Sequence, residues 1–82
     1  MEVIVYTKTT CMPCKMVKRF LTDKGVTLIE KNIEENEEFI NELKEAGFSS
    51  TPVSLPSNGD FSKAVKGFDI PKLEMLIGIE KK

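Results

Sequence analysis

The fold of this chain is decided by its residues 3–14, VIVYTKTTCMPC. The first four are β-branched or aromatic, and their apolar character is continuous, which predicts a short, buried central strand over Val3–Tyr6. A polar loop follows, and Cys11 and Cys14 then stand at the start of a segment with helical periodicity. The stretch therefore predicts a strand, a loop and a helix whose N-terminus carries both cysteines of the chain.

The first helix is predicted over Met12–Lys24. Pro13 fits its first turn, where a missing N–H costs no hydrogen bond, and Gly25 ends it. Apolar residues recur on one face of this helix at helical spacing, which predicts that they pack inward. They are Met16, Val17, Phe20 and Leu21.

The remaining segments complete a mixed α/β domain. Composition and turn signals predict a strand at Val26–Asn32, a helix at Glu34–Ala46, a strand at Val53–Leu55, a turn at Ser57–Asp60, a strand at Phe61–Val65 and a last helix capped by Asp69. The order is β-α-β-α-β-β-α. A β-α-β unit forms a parallel pair with a right-handed crossover, and the hairpin adds an antiparallel pair. We therefore expect a four-stranded mixed sheet with three flanking helices, the order of the minimal thioredoxin fold.

Length, charge and composition narrow the class of protein. The 82 residues suffice for one compact domain, expected over residues 1–82. A formal net charge of −1 argues against a nucleic-acid binder. No apolar run is long enough to cross a membrane, and the N-terminus lacks the pattern of a signal peptide, so a cytoplasmic protein is expected. The absence of histidine excludes imidazole catalysis and His-containing metal sites.

The position of the cysteine motif predicts dithiol chemistry. Free N–H groups and the helix dipole favour a thiolate at a helix N-terminus, so we expect the pKa of Cys11 to lie below that of a free cysteine. Lys8 and Lys15 flank the motif and strengthen this effect. Cys14 follows one turn later, within reach of a disulfide. We expect Cys11 to attack a substrate disulfide and Cys14 to resolve the mixed disulfide.

Other interpretations of the two cysteines stay open at this point. They could be half of a zinc site, a pair of inert buried thiols, or ligands of an iron–sulfur cluster shared between two chains. A complete zinc site usually needs four ligands. This chain offers no histidine and no third cysteine, so the catalytic interpretation is favoured and no metal is expected.

Two further segments could bind substrate. A cis bond between Thr51 and Pro52 would leave backbone groups open beside the cysteines for an extended substrate, but an ordinary proline at an edge strand explains the pattern equally well. At Gly67-Phe68-Asp69, a substrate backbone or an anion could approach the last helix. A plain turn with Asp69 as helix cap is the alternative.

A small basic face is predicted beside the motif. Lys15, Lys18 and Arg19 share one side of the first helix. Such a face could steer an acidic partner, or it could simply be the solvated side of the helix, which is the more common situation.

Several motifs resemble the glutaredoxin family in the same order along the chain. They are Val5-Tyr6-Thr7-Lys8, Cys11-Met12-Pro13-Cys14-Lys15, Thr51-Pro52 and Gly67-Phe68-Asp69. Within the family, the chain is most similar to the NrdH-redoxins, which are glutaredoxin-like in sequence and thioredoxin-like in activity. The resemblance implies that Cys11 is the nucleophile, Cys14 the resolving thiol and Pro52 a cis-proline.

The resemblance also implies partners. Electrons would come from NADPH through a thioredoxin reductase and pass to a ribonucleotide reductase. We expect a monomer that binds no cofactor and whose redox-active group is the disulfide between Cys11 and Cys14. Classical glutaredoxins usually carry Cys-Pro-Tyr-Cys and a Gln or Arg for the carboxylate of glutathione, whereas this chain has Met12-Pro13 and Phe48-Ser49-Ser50. A glutathione-dependent dithiol glutaredoxin is the alternative. The expected substrate-binding residues are Lys8, Met12, Pro13, Thr51, Pro52, Gly67, Phe68 and Asp69.

Overall fold

The computed structural model describes residues 2–78, and within them the helices and strands follow the predicted order. The strands are β1 (Glu2–Thr7), β2 (Thr27–Asn32), β3 (Val53–Pro56) and β4 (Val65–Lys66). The helices are α1 (Met12–Asp23), α2 (Glu37–Glu45) and α3 (Ile70–Leu76). A single 3₁₀ turn at Phe61–Lys63 lies between β3 and β4. No helix among these residues is long and apolar enough to cross a membrane.

The four strands form one mixed sheet in the order β2-β1-β3-β4. The central strand β1 runs parallel to β2, as expected for a β-α-β unit, and antiparallel to β3. The short strand β4 pairs antiparallel with β3 at the edge. The prediction of a four-stranded mixed sheet of the thioredoxin fold is therefore confirmed.

Strand β1 separates two hydrophobic layers because its side chains alternate between the faces of the sheet. Val3 and Val5 are fully buried on the face covered by α1 and α3. Ile4 and Tyr6 point to the opposite face, where Leu43 of α2 packs against them. A strand buried on both faces explains the continuous apolar run in the sequence.

The predicted fourth strand at Phe61–Val65 is wrong in its position. Its first three residues form the 3₁₀ turn, and only Val65 and Lys66 pair with β3. The side chain of Asp60 accepts a hydrogen bond of 3.0 Å from the backbone N–H of Ser62 and so caps the turn. Such local side-chain bonds compete with pairing along a strand, which explains why the strand begins later.

The second helix begins three residues later than predicted. Glu37 is its first residue, whereas the sequence suggested a start at Glu34. The side chain of Asn36 accepts a hydrogen bond of 2.9 Å from the N–H of Glu38 and serves as the N-cap. A capping residue fixes a helix start more strongly than the acidic run around it.

The inward face predicted for α1 is confirmed only in part. Val17 and Leu21 are fully buried, and Phe20 is half-buried. Met16 is 48 % exposed, so its assignment to the core is wrong. Successive residues of a helix are separated by about 100° around its axis, and the buried stripe of α1 is centred on Leu21, which leaves Met16 outside it.

Candidate active site

Cys11 is the N-cap residue of α1. Its backbone is extended, with φ −139° and ψ 106°, and this conformation turns the side chain back over the first helical turn. The N–H of Cys14 donates a hydrogen bond of 3.2 Å to the sulfur of Cys11. The sulfur therefore takes the place that the oxygen of a Ser or Asp cap would occupy, and a negative charge on it would be stabilised there.

The two cysteines are joined by a disulfide bond, with their Cα atoms 5.2 Å apart. They differ in accessibility, because Cys11 is half-buried at the surface whereas Cys14 is only 1 % exposed. A reagent or substrate can therefore reach the sulfur of Cys11 and not that of Cys14. This contrast is what a nucleophile and a resolving thiol require.

The peptide bond between Thr51 and Pro52 is cis. The hydroxyl of Thr51 lies 3.8 Å from the sulfur of Cys11 and donates to it. The carbonyl of Pro52 accepts a hydrogen bond of 2.8 Å from the N–H of Gly67. Within residues 2–78, the backbone N–H and C=O of Thr51 make no backbone hydrogen bond, so both are available to a bound segment.

An open cleft of about 380 Å³ lies above the disulfide. Four residues that the sequence predicted line it together with Cys11: Lys8, Met12, Pro13 and Thr51. The other lining residues were not predicted as site residues, and they are Thr10, Ile33, Ser49 and Ser50. A signal for Ile33 was present, because it directly follows β2 and the carboxyl ends of parallel strands meet at one edge of a sheet.

The segment Gly67-Phe68-Asp69 does not line this cleft. Phe68 packs edge-on against Phe20 of α1, with the ring centres 6.3 Å apart. The side chain of Asp69 accepts a hydrogen bond of 3.4 Å from the N–H of Lys72, which confirms it as the N-cap of α3. These contacts are structural, and the hydrogen bond from Gly67 to Pro52 joins the segment to the site.

The loop that leads from β1 to the cysteines is hydrogen-bonded to the segment around the end of β2. The N–H of Ile33 donates to the carbonyl of Thr7 at 2.9 Å, which continues the parallel pairing beyond the strand. The N–H of Thr9 donates to a carboxylate oxygen of Glu34 at 3.2 Å, and the amide of Asn32 donates to the Thr9 hydroxyl at 3.3 Å. These contacts hold one wall of the cleft in place.

A charged pair lies beside the end of β1. The buried hydroxyl of Thr7 donates to Glu30 at 2.7 Å, and the ammonium of Lys18 contacts the same oxygen at 3.0 Å. The hydrogen bond from Thr7 is the main cause that holds the pKa of Glu30 below its usual value, and Lys18 adds to it. Lys18 is therefore engaged within the fold and does not form part of a free basic face.

A second polar cluster lies on the opposite side of the sheet. The hydroxyl of Tyr6 donates a hydrogen bond of 2.6 Å to Glu42. Lys31 contacts the same carboxylate at 3.2 Å and lies over the rings of Tyr6 and Phe39. Burial raises the pKa of Tyr6, and the hydrogen bond from Tyr6 lowers that of Glu42. This cluster anchors α2 to the central strand.

Among residues 2–78, no three Cys, Asp or Glu side chains are grouped so that they could hold a metal ion.

Comparison with known proteins finds a matching family model, similar sequences and similar solved structures. The family model for Glutaredoxin matches residues 3–54. The glutaredoxin-like protein NrdH of Lactococcus lactis is 42% identical over 60 residues, which cover 73% of this chain and 83% of that protein. The crystal structure of the thioredoxin-like protein BC3987 superposes with a TM-score of 0.77 at 33% identity, covering 90% of this chain and 97% of the other. The glutaredoxin-like protein NrdH-redoxin from Escherichia coli has the same fold, with a TM-score of 0.76 at 23% identity over 100% of this chain and 99% of the other.

Proposed function

This chain belongs to the glutaredoxin family and is a thiol–disulfide oxidoreductase with Cys11 and Cys14 as its redox pair, and we propose that its substrates are protein disulfides. One observation carries this proposal: the only accessible sulfur of the pair caps a helix beside backbone groups that are free to bind an extended segment. A polypeptide could pair with Thr51 as an added strand, which would bring its own disulfide over Cys11.

The reduction proceeds in two exchanges. The thiolate of Cys11 attacks one sulfur of the substrate disulfide, the bond between the two substrate sulfurs breaks, and the departing sulfur takes the electron pair and a proton. Cys14 then loses its proton and attacks the sulfur of Cys11. The second substrate sulfur leaves with its electron pair and is protonated, so that the substrate has gained two electrons and the disulfide of Cys11 and Cys14 has formed.

We propose that the cleft residues orient the substrate. Lys8, Met12 and Pro13 border the accessible sulfur, and Thr51 offers both a backbone pair and a hydroxyl. Pro52 keeps the Thr51 segment in its open conformation. None of Gly67, Phe68 and Asp69 lines the cleft. Their substrate-binding roles stay predictions.

We further propose that the electrons come from NADPH through a thioredoxin reductase and pass to a ribonucleotide reductase in the cytoplasm, with the chain acting as a monomer. The resemblance of the motifs to those of the NrdH-redoxins supports this partner set, as does the 42% identity over 60 residues to the glutaredoxin-like protein NrdH of Lactococcus lactis. The lining of the cleft supports it as well. Lys8 is its single cation, and serines stand at positions 49 and 50, whereas glutathione presents two carboxylates that need partners.

The test compares two electron donors with the same disulfide substrate. Insulin is incubated with the protein and NADPH, once with thioredoxin reductase and once with glutathione and glutathione reductase, and NADPH consumption is followed at equal protein concentrations. We expect turnover with thioredoxin reductase, and its loss in both Cys11→Ser and Cys14→Ser. Turnover with glutathione and glutathione reductase, and none with thioredoxin reductase, would instead establish a glutathione-dependent glutaredoxin. The Glutaredoxin family match allows this alternative.

A further inference from the structure

The outward face of α1 carries two methionines beside the active site. Met12 is 67 % exposed and Met16 is 48 % exposed. They are four residues apart on the helix, so their Cβ atoms lie about 5–6 Å from each other on one face. Met12 also lines the cleft above Cys11, which makes this apolar surface continuous with the reactive sulfur.

Two unpaired cations border the methionines. Lys15 and Arg19 are exposed, and neither makes a salt bridge within residues 2–78. Lys18, the third member of the predicted basic face, contacts Glu30 instead. Asp23, one turn beyond Arg19, adds the opposite charge and marks the far end of the face.

We propose that Met12, Lys15, Met16 and Arg19 form a docking face for a partner protein of matching chemistry. The partner would place an apolar side chain against the two methionines and carboxylates against Lys15 and Arg19. Its cysteine sulfur would then lie over Cys11. This inference rests on the proposed function, because a docking face beside the disulfide is useful only if proteins deliver disulfides there.

The chemistry of the face supports this occupant. Scattered exposed apolar residues are normal on a protein surface, but these two adjoin each other and the accessible sulfur. The flexible, polarisable side chain of methionine adapts to different apolar partners, which suits a carrier that must bind more than one protein. Exposed cations at the rim of such a contact favour partners with negative charge and disfavour partners with positive charge.

The test uses three short peptides, each with one central cysteine linked to thionitrobenzoate. The first peptide has Leu and Glu around the cysteine, the second Leu and Lys, and the third Ser and Glu. They react with reduced protein of the Cys14→Ser variant. The thiolate of Cys11 bonds to the peptide sulfur, the peptide–thionitrobenzoate bond breaks, and the coloured thionitrobenzoate anion leaves with the electron pair. Its absorbance gives the rate.

With the Cys14→Ser variant, we expect the Leu/Glu peptide to react about fivefold faster than the Leu/Lys peptide at low salt. Its glutamates can form exposed ion pairs with Lys15 and Arg19, and the lysines of the other peptide cannot. The difference should shrink at high salt because exposed charges are screened. Arg19→Gln should lower the preference for Glu over Lys about twofold. Met16→Gln should lower the preference for Leu over Ser.

The matched controls are Lys72→Gln and Met75→Gln on α3. Like Arg19 and Met16, these residues are an exposed cation and an exposed methionine three positions apart, and neither lines the cleft. Both controls should keep the wild-type preferences. Equal rates for all three peptides, or preferences that the control variants change as much as Arg19→Gln and Met16→Gln do, would overturn the docking face alone. Failure of all three peptides to react would overturn the proposed function itself.

Discussion

The hydroxyl of Thr51 offers a sharp test of how the site activates its sulfur. This hydroxyl donates to the sulfur of Cys11 at 3.8 Å, in addition to the backbone N–H of Cys14. A hydrogen bond to the charged form of an acid stabilises that form. Replacing Thr51 by Val removes the hydroxyl and keeps the branched shape, so the thiolate loses one of its two donors.

The expected effect is modest because the contact is long for a hydrogen bond and the group is only partly buried. A net hydrogen bond contributes about 0.5–1.5 kcal/mol, and we take the lower end, about 0.5 kcal/mol. This corresponds to about a twofold decrease in thiolate at pH values where the thiol is mainly protonated. Thr51→Val should therefore slow alkylation of Cys11 by iodoacetamide about twofold on the acidic side of the pH profile.

The assay uses reduced protein with Cys14→Ser, so that a single thiol reacts, and it records the alkylation rate across pH. Thr51→Ser keeps a hydroxyl and is the matched control. Its alkylation rate should equal that of the Cys14→Ser protein with Thr51 intact. A Thr51→Val profile that coincides with the parent, or an equal slowing by Val and Ser, would refute the role assigned to the hydroxyl.

Three further predictions concern the redox pair and the stability of the fold. With a protein disulfide as substrate, Cys14→Ser should accumulate a mixed disulfide through Cys11 and Cys11→Ser should not, as seen by mass spectrometry without reductant; the reverse pattern would exchange their roles. Leu21→Ala removes a fully buried side chain between α1 and the sheet, so urea unfolding should show a loss of about 2–5 kcal/mol; a loss of a few tenths would contradict the packing. The lowered pKa of Glu42 means that its contribution to stability is present above its ordinary value of 4.5 and is lost as the pH falls through the lower folded value. Tyr6→Phe should therefore cost about 1 kcal/mol at pH 7, and this cost should decrease as the pH falls below 4.5; a cost that stays constant over the acidic range would refute this linkage.

The sequence predicted the elements that depend on local patterns. The continuous apolar run of β1 and the cysteines at the start of α1 were enough to place the central strand and the helix terminus that carries the cysteines. Asp69 was predicted as a helix cap and is one. These features depend on residues that are close in the chain, where side-chain periodicity and capping act directly.

The errors arise where contacts between distant segments, or competing local hydrogen bonds, determine the structure. Met16 has the spacing of a core residue, but α1 buries a narrower stripe than its apolar residues suggest. The strand expected at Phe61 yields to a turn capped by Asp60. Ser49 and Ser50 line the cleft because separate loops meet there, and no spacing within one segment indicates such a meeting.

We propose that the N-cap position makes Cys11 the reactive sulfur and that burial reserves Cys14 for resolution. The most direct measurement follows the alkylation of both cysteines in the fully reduced wild-type protein at pH 7, with the modified peptides quantified by mass spectrometry. We expect Cys11 to be modified at least about tenfold faster than Cys14, because it is the more accessible and the better stabilised as a thiolate. Equal rates, or earlier modification of Cys14, would show that the helix cap does not make Cys11 the reactive sulfur.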